Sequence, residues 1–212
     1  NNEVYSKDFY GYVQMEMTGT YHDYGLFLGN TIYIRSDGSI DPSTAPIYTS
    51  DNVTYVFTGD VDASFTIERD DIIVEGSGHI IGGPNSGMVT ISGRNNVTIQ
   101  NMTLRYDQDG LLVGVPLLLE QSTNIRVVGN IIGPLESSDS LRISSSSFCL
   151  IYKNDIGTGD AGVGIHLLSS SNNTIRENNC HMLLGWYSTS ISISSSSHNI
   201  IEGNYIGTRS SI

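Results

Sequence analysis

The sequence predicts an all-β chain wound as a parallel β-solenoid of about six stacked coils. Two observations predict this fold. Short apolar segments with period-two alternation recur at a nearly constant step, and clusters of serine, asparagine and glycine separate them. Long runs of strong helix formers are missing, so a helical repeat does not explain the pattern. A repeat of this size cannot bury its apolar side alone, but copies stacked on one another can.

One apolar marker position identifies each repeat. The marker positions are separated by 25, 28, 24, 24 and 26 residues, and they are Val74, Ile99, Val127, Ile151, Ile175 and Ile201. From the second repeat onward an alternating apolar pair precedes the marker, as Ile165 and Leu167 do. A further apolar residue follows five positions after it, at Leu104, Ile132, Ile156, Cys180 and Ile206. Each repeat of roughly 24–26 residues therefore contains two or three short strands separated by turns.

Asparagine recurs three residues after the marker, at Asn130, Asn154, Asn178 and Asn204. In a solenoid, equivalent residues of neighbouring coils lie about 4.8 Å apart, which is the spacing between strands. Stacked asparagines can pass amide hydrogen bonds along the column, and asparagine tolerates the left-handed backbone of tight turns. We interpret these four residues as a structural ladder, and Asn173 with Asn199 as a second, shorter one.

The N-terminal part of the chain does not follow the repeat. Residues 1–52 are rich in tyrosine and are interpreted as a non-repeating cap that takes part in assembly. Residues 53–212 hold the coils, which at the strand spacing would form a rod roughly 30 Å long.

The repeated segments NVTIQNMTL, SSSNNTIRENNC and SSSSHNIIEGNYIG resemble those of the right-handed parallel β-helix superfamily. That superfamily includes carbohydrate-binding proteins, sugar hydrolases and the NosD-like group described as copper-binding. The lead-in TIYIRSDGSIDPSTAPI is similar to the start of archaeal cell-surface proteins of this type. The resemblance covers residues 31–212 and implies a single-stranded right-handed helix. It does not assign an activity, because one solenoid fold hosts many functions.

The charge balance disfavours several kinds of partner. Ten Lys and Arg face 22 Asp and Glu, which gives a net charge of −12. Such a surface repels nucleic acid and anionic membranes, and no apolar run is long enough to span a bilayer. We expect an extracellular or cell-surface protein whose signal peptide has already been removed.

Four N-glycosylation sequons favour export and a glycoprotein; they begin at Asn52, Asn96, Asn101 and Asn172. Turns rich in Asn and Thr are the alternative explanation. Cys149 and Cys180 take apolar positions of the pattern, so we interpret them as buried free thiols rather than a disulfide.

The sequence offers no catalytic set of the kind that β-helix hydrolases use, in which close carboxylates protonate a leaving oxygen and activate water. Asp70 and Asp71 are adjacent, but no partner acid takes the matching place in the next repeat. The ten basic residues are scattered and form no cluster of the kind that lyases of this fold use. We therefore predict no enzymatic activity and no required cofactor.

Three acidic residues nevertheless share one loop of successive repeats: Asp107, Glu136 and Asp160. Stacked carboxylates could bind Ca²⁺ or raise the pKa of one member for acid catalysis. We prefer a third interpretation, in which these three acids form a solvated loop edge without a binding or catalytic role. His166 and His181 have no second His or Cys at metal-ligand spacing, so a copper site lacks ligands. Trp186, next to Tyr187, is either a sugar-stacking platform or a structural aromatic.

These observations favour a non-catalytic structural protein at the cell surface that assembles with copies of itself into a filament or layer. Solenoid edges carry unpaired backbone groups, and residues 1–28 of one copy could add strands to the last coil of the next. The first alternative is a carbohydrate-binding or carbohydrate-active module. The second is a trimeric phage or surface adhesin spike.

Overall fold

The computed structural model describes residues 31–82, 89–104, 114–133, 138–182 and 187–208. These residues form 22 β-strands and no α-helix, and accordingly none of them belongs to a helix that could cross a membrane. In chain order the strands are β1 (Ile32–Ile34), β2 (Ile40–Asp41), β3 (Ile47–Tyr48), β4 (Thr54–Phe57), β5 (Phe65–Ile67), β6 (Ile72–Glu75), β7 (Ile80–Ile81), β8 (Val89–Ser92), β9 (Val97–Gln100), β10 (Thr103–Leu104), β11 (Leu117–Glu120), β12 (Arg126–Val128), β13 (Ile131–Ile132), β14 (Asp139–Ser144), β15 (Leu150–Tyr152), β16 (Asp155–Thr158), β17 (Val163–Leu168), β18 (Thr174–Arg176), β19 (Asn179–Met182), β20 (Thr189–Ser194), β21 (Ile200–Glu202) and β22 (Tyr205–Thr208).

The strands form three sheets that run the length of the molecule. Sheet A has the order β2-β1-β5-β8-β11-β14-β17-β20, sheet B the order β21-β18-β15-β12-β9-β6-β4-β3, and sheet C the order β22-β19-β16-β13-β10-β7. From β5 onward, neighbours within a sheet are three strands apart in the chain, so each coil gives one strand to each sheet. The predicted parallel β-solenoid is confirmed.

The strand register matches the repeat read from the sequence. The six marker residues, Val74 to Ile201, are successive partners along one column of sheet B. The alternating apolar pairs stack in sheet A, and the apolar residues that follow the marker stack in sheet C. The inward-facing columns of the three sheets form a single hydrophobic core. Each fully buried aliphatic side chain in it contributes roughly 1.5–3 kcal/mol.

Residues with left-handed backbone recur at the corners of the coils. The turn from sheet A to sheet B places one at the same point of successive coils, at Asp71, Asn96, Asn124, Phe148, Asn172 and His198; Asn52 takes the same conformation between β3 and β4. The turn from sheet B to sheet C places another, at Ser77, Asn101, Gly129, Lys153, Glu177 and Gly203. These conformations favour glycine and asparagine, which explains why both residues punctuate the repeat.

Short antiparallel strands close the N-terminal end of two sheets. β2 pairs with the outer edge of β1 in sheet A, and β3 pairs with the outer edge of β4 in sheet B. Pro42 and Pro46 lie beside these strands, and a proline cannot donate to a further ladder. Residues 31–52, which the sequence analysis assigns to the non-repeating segment, thus supply β1, β2 and β3, and β1 already stacks on β5.

The C-terminal end differs. β20, β21 and β22 form the last described coil, and no described strand pairs with their outer edges. Core-column residues are therefore uncovered there: Ile193 is 45% exposed, Ile201 40% and Ile206 54%. Their column partners one coil earlier, Leu167, Ile175 and Cys180, are fully buried.

Candidate functional site

The first feature that bears on function is a directional asparagine ladder along the turn from sheet B to sheet C. The backbone N–H of Asn130 donates to Oδ1 of Asn154 at 2.9 Å, and its Nδ2 donates to the same atom at 3.1 Å. Asn154 donates in the same way to Asn178, and Asn178 to Asn204. The second hydrogen of each Nδ2 goes back to a backbone carbonyl of the preceding coil, such as that of Val127. The ladder positions from the sequence analysis thus form one chain of amide hydrogen bonds.

Two parallel ladders repeat this direction at the turn from sheet A to sheet B. The N–H of Cys149 donates to Oδ1 of Asn173, and the N–H and Nδ2 of Asn173 donate to Oδ1 of Asn199. In the serine column, each backbone N–H donates to the next hydroxyl, from Arg94 through Ser122, Ser146 and Ser170 to Ser196. In every ladder, the N–H of one coil is satisfied by a side-chain oxygen of the following coil.

This direction leaves the last coil with a defined set of donors. The backbone N–H groups of Ser196, Asn199 and Asn204 would donate to side-chain oxygens of a following coil, and none of the described residues accepts from them. Together with Ile193, Ile201 and Ile206 they make up what we call the C-terminal edge. It combines apolar side chains with backbone donors, as an exposed strand edge does.

The second feature is a charged cluster on the outer face of sheet A. Oδ2 of Asp139 accepts from Nε of Arg142 at 2.6 Å and lies 3.0 Å from Nδ1 of His166. The carboxylate side chain is only 8% exposed. Arg142 and His166 are partners on adjacent strands, so the buried carboxylate orients two donor groups side by side. The sequence analysis missed this arrangement.

Two other histidines make similar pairs elsewhere. Nδ1 of His79 is 3.0 Å from Oδ1 of Asp60. Nδ1 of His181 is 3.0 Å from Oδ1 of Asp155, although the two groups are not aligned as a hydrogen bond. His79, His166 and His181 therefore each lie beside a different aspartate.

The two cysteines are free, buried thiols, as expected. Burial raises the pKa of Cys149 to about 11 and, with a smaller contribution from the nearby Asp155, raises that of Cys180 to about 11. A thiol with such a pKa carries almost no thiolate at neutral pH, so neither residue is a nucleophile or a ready metal ligand.

The three stacked acids and the possible sugar-stacking aromatic of the sequence analysis lie largely outside the described residues. Asp107, Glu136 and Trp186 are not among them, whereas Asp160 lies exposed in the turn between β16 and β17. Tyr187 is 80% exposed. The Ca²⁺ and sugar-stacking interpretations therefore remain predictions.

All four sequon asparagines have left-handed backbone. In Asn96 and Asn101, Nδ2 already donates to a carboxylate of the preceding coil, that of Asp71 at 2.8 Å and that of Glu75 at 2.9 Å. In the sequons of Asn96, Asn101 and Asn172 the Asn-X-Thr pattern follows from a corner asparagine, an inward residue and an outward threonine at or near the start of a strand.

The adjacent acids Asp70 and Asp71 also belong to a corner. Oδ1 of Asp70 accepts from the N–H of Asn95 at 3.0 Å and lies 3.6 Å from Nη1 of Arg94. Both carboxylates thus bond to the following coil and stabilise the turn.

Comparison with protein families gives a match to a model described as "Periplasmic copper-binding protein (NosD)", over residues 63–212. No curated protein and no solved structure gives a significant match.

The donor set does not fit the copper of that description. Within the described ranges, His, Cys, Asp and Glu form no group of three that could hold a metal ion. Both thiols point into the core, and the Nδ1 atoms of three histidines face separate aspartates. The match therefore rests on the repeated coil, and because it spans well over half of the sequence, the chain belongs to the NosD family of periplasmic β-helix proteins.

Proposed function

We propose that this protein is a non-catalytic structural protein outside the cytoplasm, which assembles end to end with copies of itself. The periplasmic description of its family supports the location. The observation that carries the assembly is the C-terminal edge, where three core columns and three backbone donors face outward together.

Burial of this edge gives the driving force. Covering a half-exposed isoleucine contributes on the order of 1 kcal/mol, and pairing exposed backbone groups adds to it. The contact is heterologous, since the N-terminal end of the solenoid differs from the C-terminal edge. Heterologous contacts that do not close into a ring produce filaments.

The full chain and a variant lacking residues 1–28 test this proposal by analytical ultracentrifugation and negative-stain electron microscopy. We expect the full chain to form concentration-dependent oligomers and the truncated chain to be a folded monomer. Ile201→Lys, which charges the edge, should also give a monomer. Ile200→Lys is the matched control, because Ile200 lies on the same strand and is exposed on the outer face. A full chain that is monomeric at all concentrations would contradict the proposal.

The cluster of Asp139, Arg142 and His166 favours a second candidate function, carbohydrate binding. Its donor groups, with Ser192 on the next strand, form a row on the outer face of sheet A, and the turn with Asp160 leads into the central strand of that row, β17. Glycan arrays, then His166→Ala and Asp160→Ala variants, test it. We expect loss of glycan binding in these variants and none in Ser92→Ala, at the opposite part of the sheet.

A further inference from the structure

We infer that Arg142 and His166 form a binding site for a phosphate group on the outer face of sheet A. The inference rests on the second candidate function only in placing the ligand at the cluster around Asp139, and it names the chemical group that this cluster recognises. It is independent of end-to-end assembly, because β14 and β17 have strand neighbours on both sides.

The carboxylate of Asp139 holds both side chains in place from beneath. Its side chain is 8% exposed, whereas that of Arg142 is 41% exposed and that of His166 23% exposed. Oδ2 of Asp139 accepts from Nε of Arg142 at 2.6 Å and lies 3.0 Å from Nδ1 of His166. Each partner uses one nitrogen for this carboxylate. Nη1 and Nη2 of Arg142 and Nε2 of His166 therefore remain for a ligand, and none of the described residues bonds to them.

The side chains that flank the pair carry no charge. Arg142 and His166 are register partners, with Leu118 on the far side of Arg142 and Ser192 on the far side of His166. Apart from Asp139, the only acid on β11, β14, β17 and β20 is Glu120. The ligand thus meets two nitrogen-bearing groups between an apolar side chain and a hydroxyl.

The acidity of the whole protein does not exclude an anion from this site. Glu120 lies one strand from Arg142 and two residues farther along, a separation of about 8 Å between Cα atoms. Its carboxylate accepts from the Ser92 hydroxyl, on the side away from Arg142, at 3.4 Å. Exposed charges farther apart than about 8 Å are largely screened at physiological ionic strength. The net charge of −12 therefore matters less here than the oriented donors.

The pairing with Asp139 selects phosphate among the common anions. Donation from Nδ1–H to the carboxylate leaves the lone pair of the neutral imidazole on Nε2. A P–OH group donates to that lone pair, and a P–O⁻ oxygen accepts from Nε2–H when the ring is charged, so phosphate suits both states of His166. The other phosphate oxygens accept from the two terminal nitrogens of Arg142. Sulfate has no proton to donate at neutral pH and suits only the charged ring.

NMR of the five histidine rings tests the site in the full chain, in a phosphate-free buffer at neutral pH. We expect inorganic phosphate to shift the C–H signals of His166 saturably, with a dissociation constant on the order of 1 mM for two or three charge-assisted hydrogen bonds. Sulfate should bind about tenfold more weakly. His79 is the internal control, because it lies 3.0 Å from Asp60 but has no described arginine partner. Its signals should not move.

Two variants separate oriented donors from simple charge. Arg142→Lys keeps the positive charge but loses the planar group that bonds Asp139 and the ligand together, so we expect about tenfold weaker phosphate binding. Arg126→Gln is the matched control, because it removes one positive charge from the exposed outer face of sheet B. It should leave the dissociation constant unchanged. Unaltered signals of His79 would show that each variant is folded.

The outcomes also identify the source of the phosphate and the fate of the candidate function. Equal affinity for inorganic phosphate and glucose 6-phosphate would indicate a free anion, and tighter binding of glucose 6-phosphate a phosphorylated sugar; either result supports the site. Equal shifts at His79 and His166, or equal losses in Arg142→Lys and Arg126→Gln, would overturn it. Glucose binding without phosphate binding would overturn the phosphate inference and leave carbohydrate binding standing. A His166 signal that responds to no phosphate and no glycan would overturn both.

Discussion

At the scale of the residue, asparagine serves two structural purposes in this molecule. The side chain of Asn154 points inward, where it accepts from a backbone N–H and donates to a backbone carbonyl of the preceding coil, and it also donates to the side chain of Asn178 in the following coil. Asn96 and Asn124 instead take the left-handed corner, where a side chain other than Asn or Gly costs energy. Hydrogen bonding between coils explains the ladders, and the backbone conformation of the corners explains most of the apparent sequons.

Phe148 is the residue least suited to its corner. Its φ is 56° and its ring is 61% exposed. The left-handed backbone therefore costs free energy that burial of the ring does little to offset. Phe148→Asn should raise the free energy of unfolding by about 1 kcal/mol, measured by urea denaturation. Phe148→Ala, which also removes the exposed ring but brings no preference for left-handed backbone, is the control and should change stability little. Equal effects from both variants would contradict the backbone explanation.

The two thiols make stability depend on alkaline pH. Their ordinary pKa of 9.0 is raised to about 11 in the folded chain, so the neutral thiols favour the folded state. This contribution is complete below pH 9 and is lost as pH rises towards 11. A Cys149→Ala, Cys180→Val variant should lose less stability than the wild type between pH 9 and 11. Parallel denaturation curves of the two proteins across this window would refute it.

At the scale of the element, the asparagine ladder should matter most in its middle. Asn154→Ala removes the acceptor of a buried N–H and the donor to a buried carbonyl. Since each unsatisfied buried group costs about 1–3 kcal/mol, we expect a loss of about 3 kcal/mol in urea denaturation. Asn204→Ala at the end of the ladder should cost about 1 kcal/mol, because Asn204 is itself partly exposed and its removal lets water reach the freed N–H of Asn178 and carbonyl of Ile175. A larger loss at Asn204 than at Asn154 would contradict this ranking.

The strands of the coils were predictable because their inward residues repeat at a fixed step, and the register of Ile151 and Ile175 follows from it. The antiparallel strands β2 and β3 were not predictable from the sequence, because each has only two residues and belongs to no repeat that would identify it. The Asp139, Arg142 and His166 cluster was also hidden. It joins two coils through an aspartate at the start of β14, two residues before the apolar alternation begins at Leu141.

At the scale of the whole molecule, stability should vary along the axis. Each coil contacts only its neighbours, so the stack behaves as a nearly one-dimensional array. The last coil is bonded on one side only, whereas β2 and β3 protect the first strands of sheets A and B. In the monomeric truncated chain, hydrogen exchange should therefore be fastest in β20, β21 and β22 and slowest near β12 and β15. Uniform protection along the chain would show that the coils open together.

The equal spacing of the central coils bears on how such a chain changes over evolutionary time. Asn130, Asn154 and Asn178 succeed one another at intervals of 24 residues, and the corners and sheets keep the same step there. Excising or duplicating one such block would therefore shorten or lengthen every column by one member and leave the strand register of the remaining coils unchanged. Such insertions and deletions can therefore change the length of the solenoid by one coil at a time, without a change in how the coils pack.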